Sequence, residues 1–345
     1  MSTPPASSPV LATVPLGPQW PTLDPFLFCA HHDDDYPEGD GALAPNASLG
    51  GRAIGSDFSN TNGWSMYHGS TIPGFPQHPH RGFETITYCR HGFIDHSDSL
   101  GATARFGRGD VQWMTAGSGI VHSEMFPLVN TDSGNLTELF QIWLNLPAAD
   151  KMVDAYFTML WSEDIPKIEL DNGGTVTVII GKLDDVVAPP PPPNSWAARN
   201  DARIGMFHIT LPANGTWILP ATAQTSGRML YLFEGNGLSI NDQGETYDVD
   251  TGIQLTPDVD VQISAGNEPV ECLVLEGTPI GEPVAQYGPF VMNTRAEIQQ
   301  AFDDYQATQF GGWPWDSDGP AHAAHDDRFA IHADGSKSTP PDVWD

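Results

Sequence analysis

Basic residues are scarce in this chain. Its 345 residues include 14 Lys and Arg against 44 Asp and Glu, a formal net charge of −30. A surface of that sign repels phosphate backbones and disfavours direct nucleic-acid binding. Acidic excess with so few Lys also fits a high-salt source, where a screening length of about 10 Å or less removes self-repulsion. Stabilisation by molar KCl is the expected sign of it. Cysteine is sparse too: Cys29, Cys89 and Cys272 lie far apart and form no C-x-x-C pair. Neither a disulfide framework nor a thiolate zinc site follows. No apolar run reaches the roughly 18 residues of a membrane span. The N-terminus, broken by Pro4, Pro5, Pro9, Pro15 and Pro18, lacks a signal-peptide core. The cytoplasm is the expected address.

Helical patterns are equally rare. Only Ala296 to Gln306, with Ile298, Phe302 and Tyr305 at helical spacing, reads as a helix. What the chain has instead is turns, with 35 Gly and 31 Pro. Short runs such as Glu84-Thr85-Ile86-Thr87-Tyr88 and Val176-Thr177-Val178-Ile179-Ile180 lie between Gly, Pro or Asn/Asp clusters and read as strands. The length predicts about two domains. The expected division is a flexible extension over 1–19, a His-rich domain over 20–150, a second domain over 151–310 and an acidic tail over 311–345. Pro189 to Pro193 read as an extended polyproline surface connection. In the tail, His322, His325 and His332 stand among aspartates; loose metal scavenging there is a weaker reading than a flexible tail.

The halves read as a degenerate repeat. Thr87 to Gly92 can be laid on Tyr231 to Gly235, and Gly109 to Trp113 on Gly252 to Leu255. Between Glu124 and Ala321 the only histidine is His208, so the second half cannot supply a three-His site.

Chemistry concentrates in the first half. His78-Pro79-His80 and His122-Ser123-Glu124 each place two metal-ligand residues at i and i+2. Residues two apart on a strand share one face, so each pair presents two donors to one side. Three imidazoles and a carboxylate without thiolate suit Fe(II), Mn(II), Ni(II), Cu(II) or Zn(II). On an octahedral ion, four protein ligands leave two positions open for water, dioxygen or a chelating substrate. A single His-x-His pair is commonly two solvated imidazoles; two pairs bracketing strand-like sequence favour a metal.

Around these pairs lie longer blocks: Phe75 to Thr85 (FPQHPHRGFET), His96-Ser97-Asp98-Ser99, Gly109 to Glu124 (GDVQWMTAGSGIVHSE), Ser195-Trp196-Ala197 and Glu282 to Thr294 (EPVAQYGPFVMNT). On them the chain resembles the pirin family of bicupins from about Trp20 to Phe329. The resemblance implies an all-β fold of two tandem cupin β-barrels of jelly-roll type, with short helices and a C-terminal helix after the second barrel. It also implies one Fe(II) in the first barrel, held by His78, His80, His122 and Glu124. Cupins more generally place the carboxylate at the position of Glu84, a competing ligand; on the pirin pattern Glu84 orients a ligand or substrate instead. Position 108 departs from the pattern, with Arg where relatives tend to have Pro.

Some pirin-like proteins cleave flavonols such as quercetin with dioxygen, as 2,3-dioxygenases. On that pattern Glu124 is both ligand and catalytic base. Phe75, Phe83 and Trp113 are candidates to line the substrate mouth, with packing in the barrel core the stronger reading for each singly. The fold alone does not establish the reaction. One alternative is a non-enzymatic, iron-dependent redox-sensing regulator that acts through a protein partner. Another is a cupin that binds or isomerises a small molecule with a different divalent metal. A monomer is expected.

Overall fold

The computed structural model describes residues 8–242 and 244–341. Strands dominate, and Arg295–Thr308 is the one α-helix among the described residues. It starts where the sequence supplies a capping box: Thr294 accepts from the Glu297 backbone N–H, and the Glu297 side chain accepts from the Thr294 N–H. Ile298 and Ala301 are buried on one helix face, with Phe302 and Tyr305 packed against Phe290 and Met292. No helix among the described residues is long and apolar enough to cross a membrane.

The chain folds as two compact units, the described residues up to Cys29 with Ile165–Gly281, and Ala30–Asp164 with Glu282 onward. In the second of these, which carries the histidine pairs, one sheet runs in the order Tyr156–Leu160, Asp110–Thr115, Phe83–His91, Asn135–Asn145 and the strand ending at Tyr36. The other runs Lys337–Ser338, Phe329–Ile331, Thr103–Gly107, Phe93–Asp98, Ile120–Met125, Gly74–His80. Cys89 and Leu139 of the first sheet meet Ile94, Ala104 and Phe106 of the second in one apolar core. Arg108 and Gly109 form the two-residue connection between the sheets at Gly107 and Asp110, with φ of +57° and +100°. Proline, locked near −65°, could not occupy position 108 in this turn.

The other unit repeats the plan strand for strand. Gly227–Glu234 lies between Thr251–Leu255 and Val270–Gly277, as Phe83–His91 lies between Asp110–Thr115 and Asn135–Asn145. Thr216–Leu219 pairs with Val261–Ser264, as Gly74–His80 pairs with Ile120–Met125. Its interior is apolar: Phe207, Leu219, Leu230, Leu232, Val261 and Ile263 are all fully buried in one core. Each such side chain contributes about 1.5–3 kcal/mol through burial. His208 sits apart, its Nε2 2.6 Å from Glu271.

Both expected boundaries of the chain ends are corrected. Within 1–19, Val10–Pro15 is a strand paired with Thr251–Leu255, so it belongs with the second barrel; an open sheet edge has backbone donors and acceptors to satisfy. Residues 1–7 of that extension lie outside the described residues. The helix and most of 311–345 belong with the first barrel instead. Phe329–Ile331 pairs with Thr103–Gly107. Arg105, fully buried and paired with Asp95 at 2.7 Å, donates to the carbonyls of His322, Ala323 and Asp326. A guanidinium has donors left over after one carboxylate, and these carbonyls take them. The tail to residue 341 is thus docked, and His322, His325 and His332 form no metal-capable group among the described residues.

Candidate metal centre

The strands Gly74–His80 and Ile120–Met125 run antiparallel and bring the two histidine pairs together. Their register slips between Phe75 and His78: Phe75 faces Glu124, yet His78 faces His122. This bulge, at Pro76-Gln77, sets one extra residue against Ser123 and re-aims the side chains that follow. Gly74 begins the strand at φ +125°, where a Cβ would meet the Glu124 carbonyl oxygen at 2.4 Å. Only glycine lets the strand approach the Glu124 backbone that closely.

The three imidazoles converge. Ring centroids are 4.4 Å apart for His78 and His122, 4.8 Å for His78 and His80, and 4.9 Å for His80 and His122. One donor atom from each lies within 4.8 Å of the others, a group able to hold a metal ion. Burial pushes His78 down to about 4 and holds His80 and His122 well below the usual histidine range, with the neighbouring imidazoles adding to the effect at His80 and His122. Such rings are neutral at pH 7, which is the ligating form.

Tautomers follow from the hydrogen bonds. His78 Nδ1 lies 2.8 Å from the Pro76 carbonyl and His80 Nδ1 lies 3.3 Å from that of Pro289. A carbonyl only accepts, so each Nδ1 carries the proton and each Nε2 lone pair is available. His122 is buried with neither ring nitrogen bonded. Leaving a buried polar atom unmatched costs about 1–3 kcal/mol. The residues present therefore fit a divalent metal, which would match the orphaned donor.

Glu124 is not part of the close group of three. It lines the same cavity, of about 510 Å³, together with His68, Phe75, His78, His80 and Trp143. Its carboxylate accepts from Thr87 Oγ1 at 3.1 Å and from Gln141 Nε2 at 2.6 Å. Thr87 and Gln141 face each other across neighbouring strands, so both point to one side and clamp it. Burial raises the Glu124 pKa despite these bonds.

Other expected residues fall differently. Glu84 is fully buried, accepts from Thr115 Oγ1 at 2.6 Å and stands outside the histidine group. Phe75 lines the cavity. Phe83 does not; it stacks on Trp143 at 4.0 Å and meets the edge of His80 at 5.1 Å. Trp113 is fully buried outside the cavity lining. Sequence reasoning missed Gln141 and Trp143, whose places depend on a strand partner distant in the chain, and His68, which sits in a turn held to the Gly55 and Gly74 carbonyls. The His96 ring lies 5.6 Å from His122, and its Nε2 is 3.2 Å from Asp98.

The pirin sequence model matches residues 10–144, and the model of the pirin C-terminal cupin domain matches residues 206–311. The chain belongs to the pirin family. Among pirin relatives, a Pseudomonas aeruginosa protein named "Putative quercetin 2,3-dioxygenase" is 40% identical over 68% of this chain and 79% of its own length. A "Pirin-like protein" of Solanum lycopersicum is 36% identical over 79% of this chain and 89% of its own. In three dimensions the chain is similar to a crystal structure of quercetin 2,3-dioxygenase from Acinetobacter baumannii, with a TM-score of 0.70 and 26% identity over 89% of this chain and 99% of that one. The bicupin fold implied by the sequence blocks is the fold observed.

Proposed function

We propose that this pirin is a flavonol 2,3-dioxygenase of the quercetinase type, with one Fe(II) held by His78, His80 and His122 and completed by Glu124. The observation that carries the proposal is the trio of converging imidazoles, His80 and His122 buried and His78 half-buried, with both nitrogens of His122 unmatched, beside an aromatic-lined cavity. Bound there, Fe(II) supplies Lewis acidity toward a deprotonated hydroxyl and a redox partner for dioxygen. The names of the relatives in Pseudomonas and Acinetobacter support the same reaction class.

The chain's own residues supply the rest. Glu124 takes the proton of the flavonol 3-hydroxyl; its raised pKa brings it nearer the operating pH of a general base. Gln141 and Thr87 hold the carboxylate in place for that transfer. Phe75 and Trp143 present rings against which a planar substrate packs, excluding water from the reacting end. At the mouth, His68 Nδ1 lies 2.8 Å from the Gly55 carbonyl. In the tautomer this bond selects, Nε2 is an acceptor, unclaimed among the described residues, for a hydroxyl on the outer ring of the substrate. Phe58, 56% exposed, meets the His68 ring edge-on at 5.2 Å and extends this rim.

The test is anaerobic loading with Fe(II), addition of quercetin, and measurement of dioxygen uptake and flavonol absorbance, with His78→Ala as control. Uptake that needs both iron and His78 is expected. Tight one-to-one iron binding without turnover would contradict the enzymatic reading and favour a redox-sensing, partner-binding role.

A further inference from the structure

The second barrel's unit has a large cleft of about 970 Å³, at the upper end of small-molecule sites. It lies wholly within residues 180–276 and includes none of the proposed metal ligands. Its charge is opposite to that of the chain. Lys182, Arg199 and Arg203, three of only 14 basic residues, line it. Among the described residues Lys182 and Arg203 have no ion-pair partner, although the chain carries 44 carboxylates. The Arg199 guanidinium lies 5.0 Å over the Trp196 ring, and the indole N–H is fixed by the Thr278 carbonyl. That stack orients the guanidinium at the cleft.

Two acidic residues also line the cleft, and one of them is cancelled. Glu276 is paired with buried Arg228 at 2.7 Å, and burial raises its pKa. Asp184 is exposed. Counting Arg228 with its partner Glu276, the cations Lys182 and Arg203 face one carboxylate, Asp184. In a chain of net charge −30 such a patch attracts anions only at short range, within a screening length of about 8–10 Å. The walls are apolar and stiff: Val187, Ala188 and the prolines 189, 190 and 191, the run that sequence analysis read as a plain connection. Proline walls have little freedom to lose on binding.

We propose that the second barrel carries a ligand site of its own, which takes a small amphipathic anion with a carboxylate or phosphate head between Lys182, Arg199 and Arg203 and an aromatic or aliphatic body against the proline wall. The barrel without a metal-capable group among its described residues would thus be a binding module, independent of the chemistry in the first.

The experiment is calorimetric titration of the full chain with phenyl phosphate, benzoate and, as the cationic control, phenyltrimethylammonium. Saturable one-to-one binding of at least one anion and none of the cation is expected; the tighter anion identifies the head group. The Lys182→Gln/Arg203→Gln double variant should weaken it about tenfold or more. Lys182→Arg/Arg203→Lys should retain it, and His78→Ala should leave it unchanged. Salt at about 0.5 M should weaken it, since the screening length then falls to a few ångström. Failure of both anions to bind, equal binding of the cation, loss of binding in His78→Ala, or unchanged binding by a folded double Gln variant would overturn the site. If the Gln variant fails to fold, loss of binding by the conservative variant at unchanged melting temperature overturns it as well.

Discussion

The strand pair that carries chemistry in the first barrel has a counterpart in the second, and the two differ in what they bury. Gly74–His80 and Ile120–Met125 bring three imidazoles together, and His78, His80 and the Glu124 carboxylate line a cavity. Thr216–Leu219 and Val261–Ser264 hold the same place among their neighbours, and there Leu219, Val261 and Ile263 are fully buried in an apolar core. The bulge is missing too: the second pair runs in unbroken register from Thr216 opposite Ser264 to Leu219 opposite Val261. One scaffold therefore serves two ends. Filled with aliphatic side chains, its interior contributes stability; lined with imidazoles, one of which leaves both nitrogens unmatched, it gives up part of that stability for a place where a metal fits.

The contrast can be broken from either side. The largest effect on folding should come from Phe207→Ala in the second core, which removes a fully buried ring and should cost about 3–5 kcal/mol in urea titrations while leaving metal stoichiometry intact. His122→Ala should do the reverse. It should weaken metal affinity by well over a hundredfold, more than the 10–100-fold typical of supporting residues, and leave the melting temperature of the metal-free protein unchanged or higher, because two orphaned polar atoms disappear.

Gln141→Leu keeps all the proposed ligands and removes the donor 2.6 Å from Glu124. A loss of about tenfold or more in kcat, with thermal stability nearly constant, is expected for a residue that acts by positioning the carboxylate. The first barrel's polar interior should also show in its pH response. Burial raises the Asp34 carboxyl to about 7, although Tyr67 and Ser65 donate to it. A carboxyl whose folded pKa is raised contributes stability below its unfolded value near 4, and that contribution is lost as pH rises to 7. Asp34→Asn should flatten the melting temperature over that window. Smallest of all, His68→Phe should raise KM for quercetin by about three- to tenfold, the worth of one hydrogen bond, with kcat little changed; an unaltered KM would remove His68 from substrate recognition.

Much of the site was legible because the signal is local. Two-residue spacing on strands places His78 with His80 and His122 with Glu124, and no tertiary knowledge is needed to see it. The paired glycines that end equivalent strands, Gly92 and Gly235, both with positive φ, made the repeat readable despite low residue similarity. What escaped depends on contacts distant in sequence. Nothing near Gln141 announces that it faces Thr87 across a strand pair and holds Glu124. Phe83 and Trp113 are aromatic like Phe75, but the strand register, not residue type, decides which rings reach the cavity. The chain ends were misread for a related reason: proline-rich or acidic composition suggests a free segment, whereas Val10–Pro15 completes a sheet edge and the tail supplies carbonyls to Arg105.

The most direct test is the iron content of purified protein after anaerobic Fe(II) loading and desalting, compared among the unaltered chain, His122→Ala and Phe207→Ala. One iron per chain in the unaltered protein and in Phe207→Ala, with none in folded His122→Ala, is the expected result. Iron retained at one per chain by His122→Ala, or absent from the unaltered protein, would contradict a metal centre built on the three histidines.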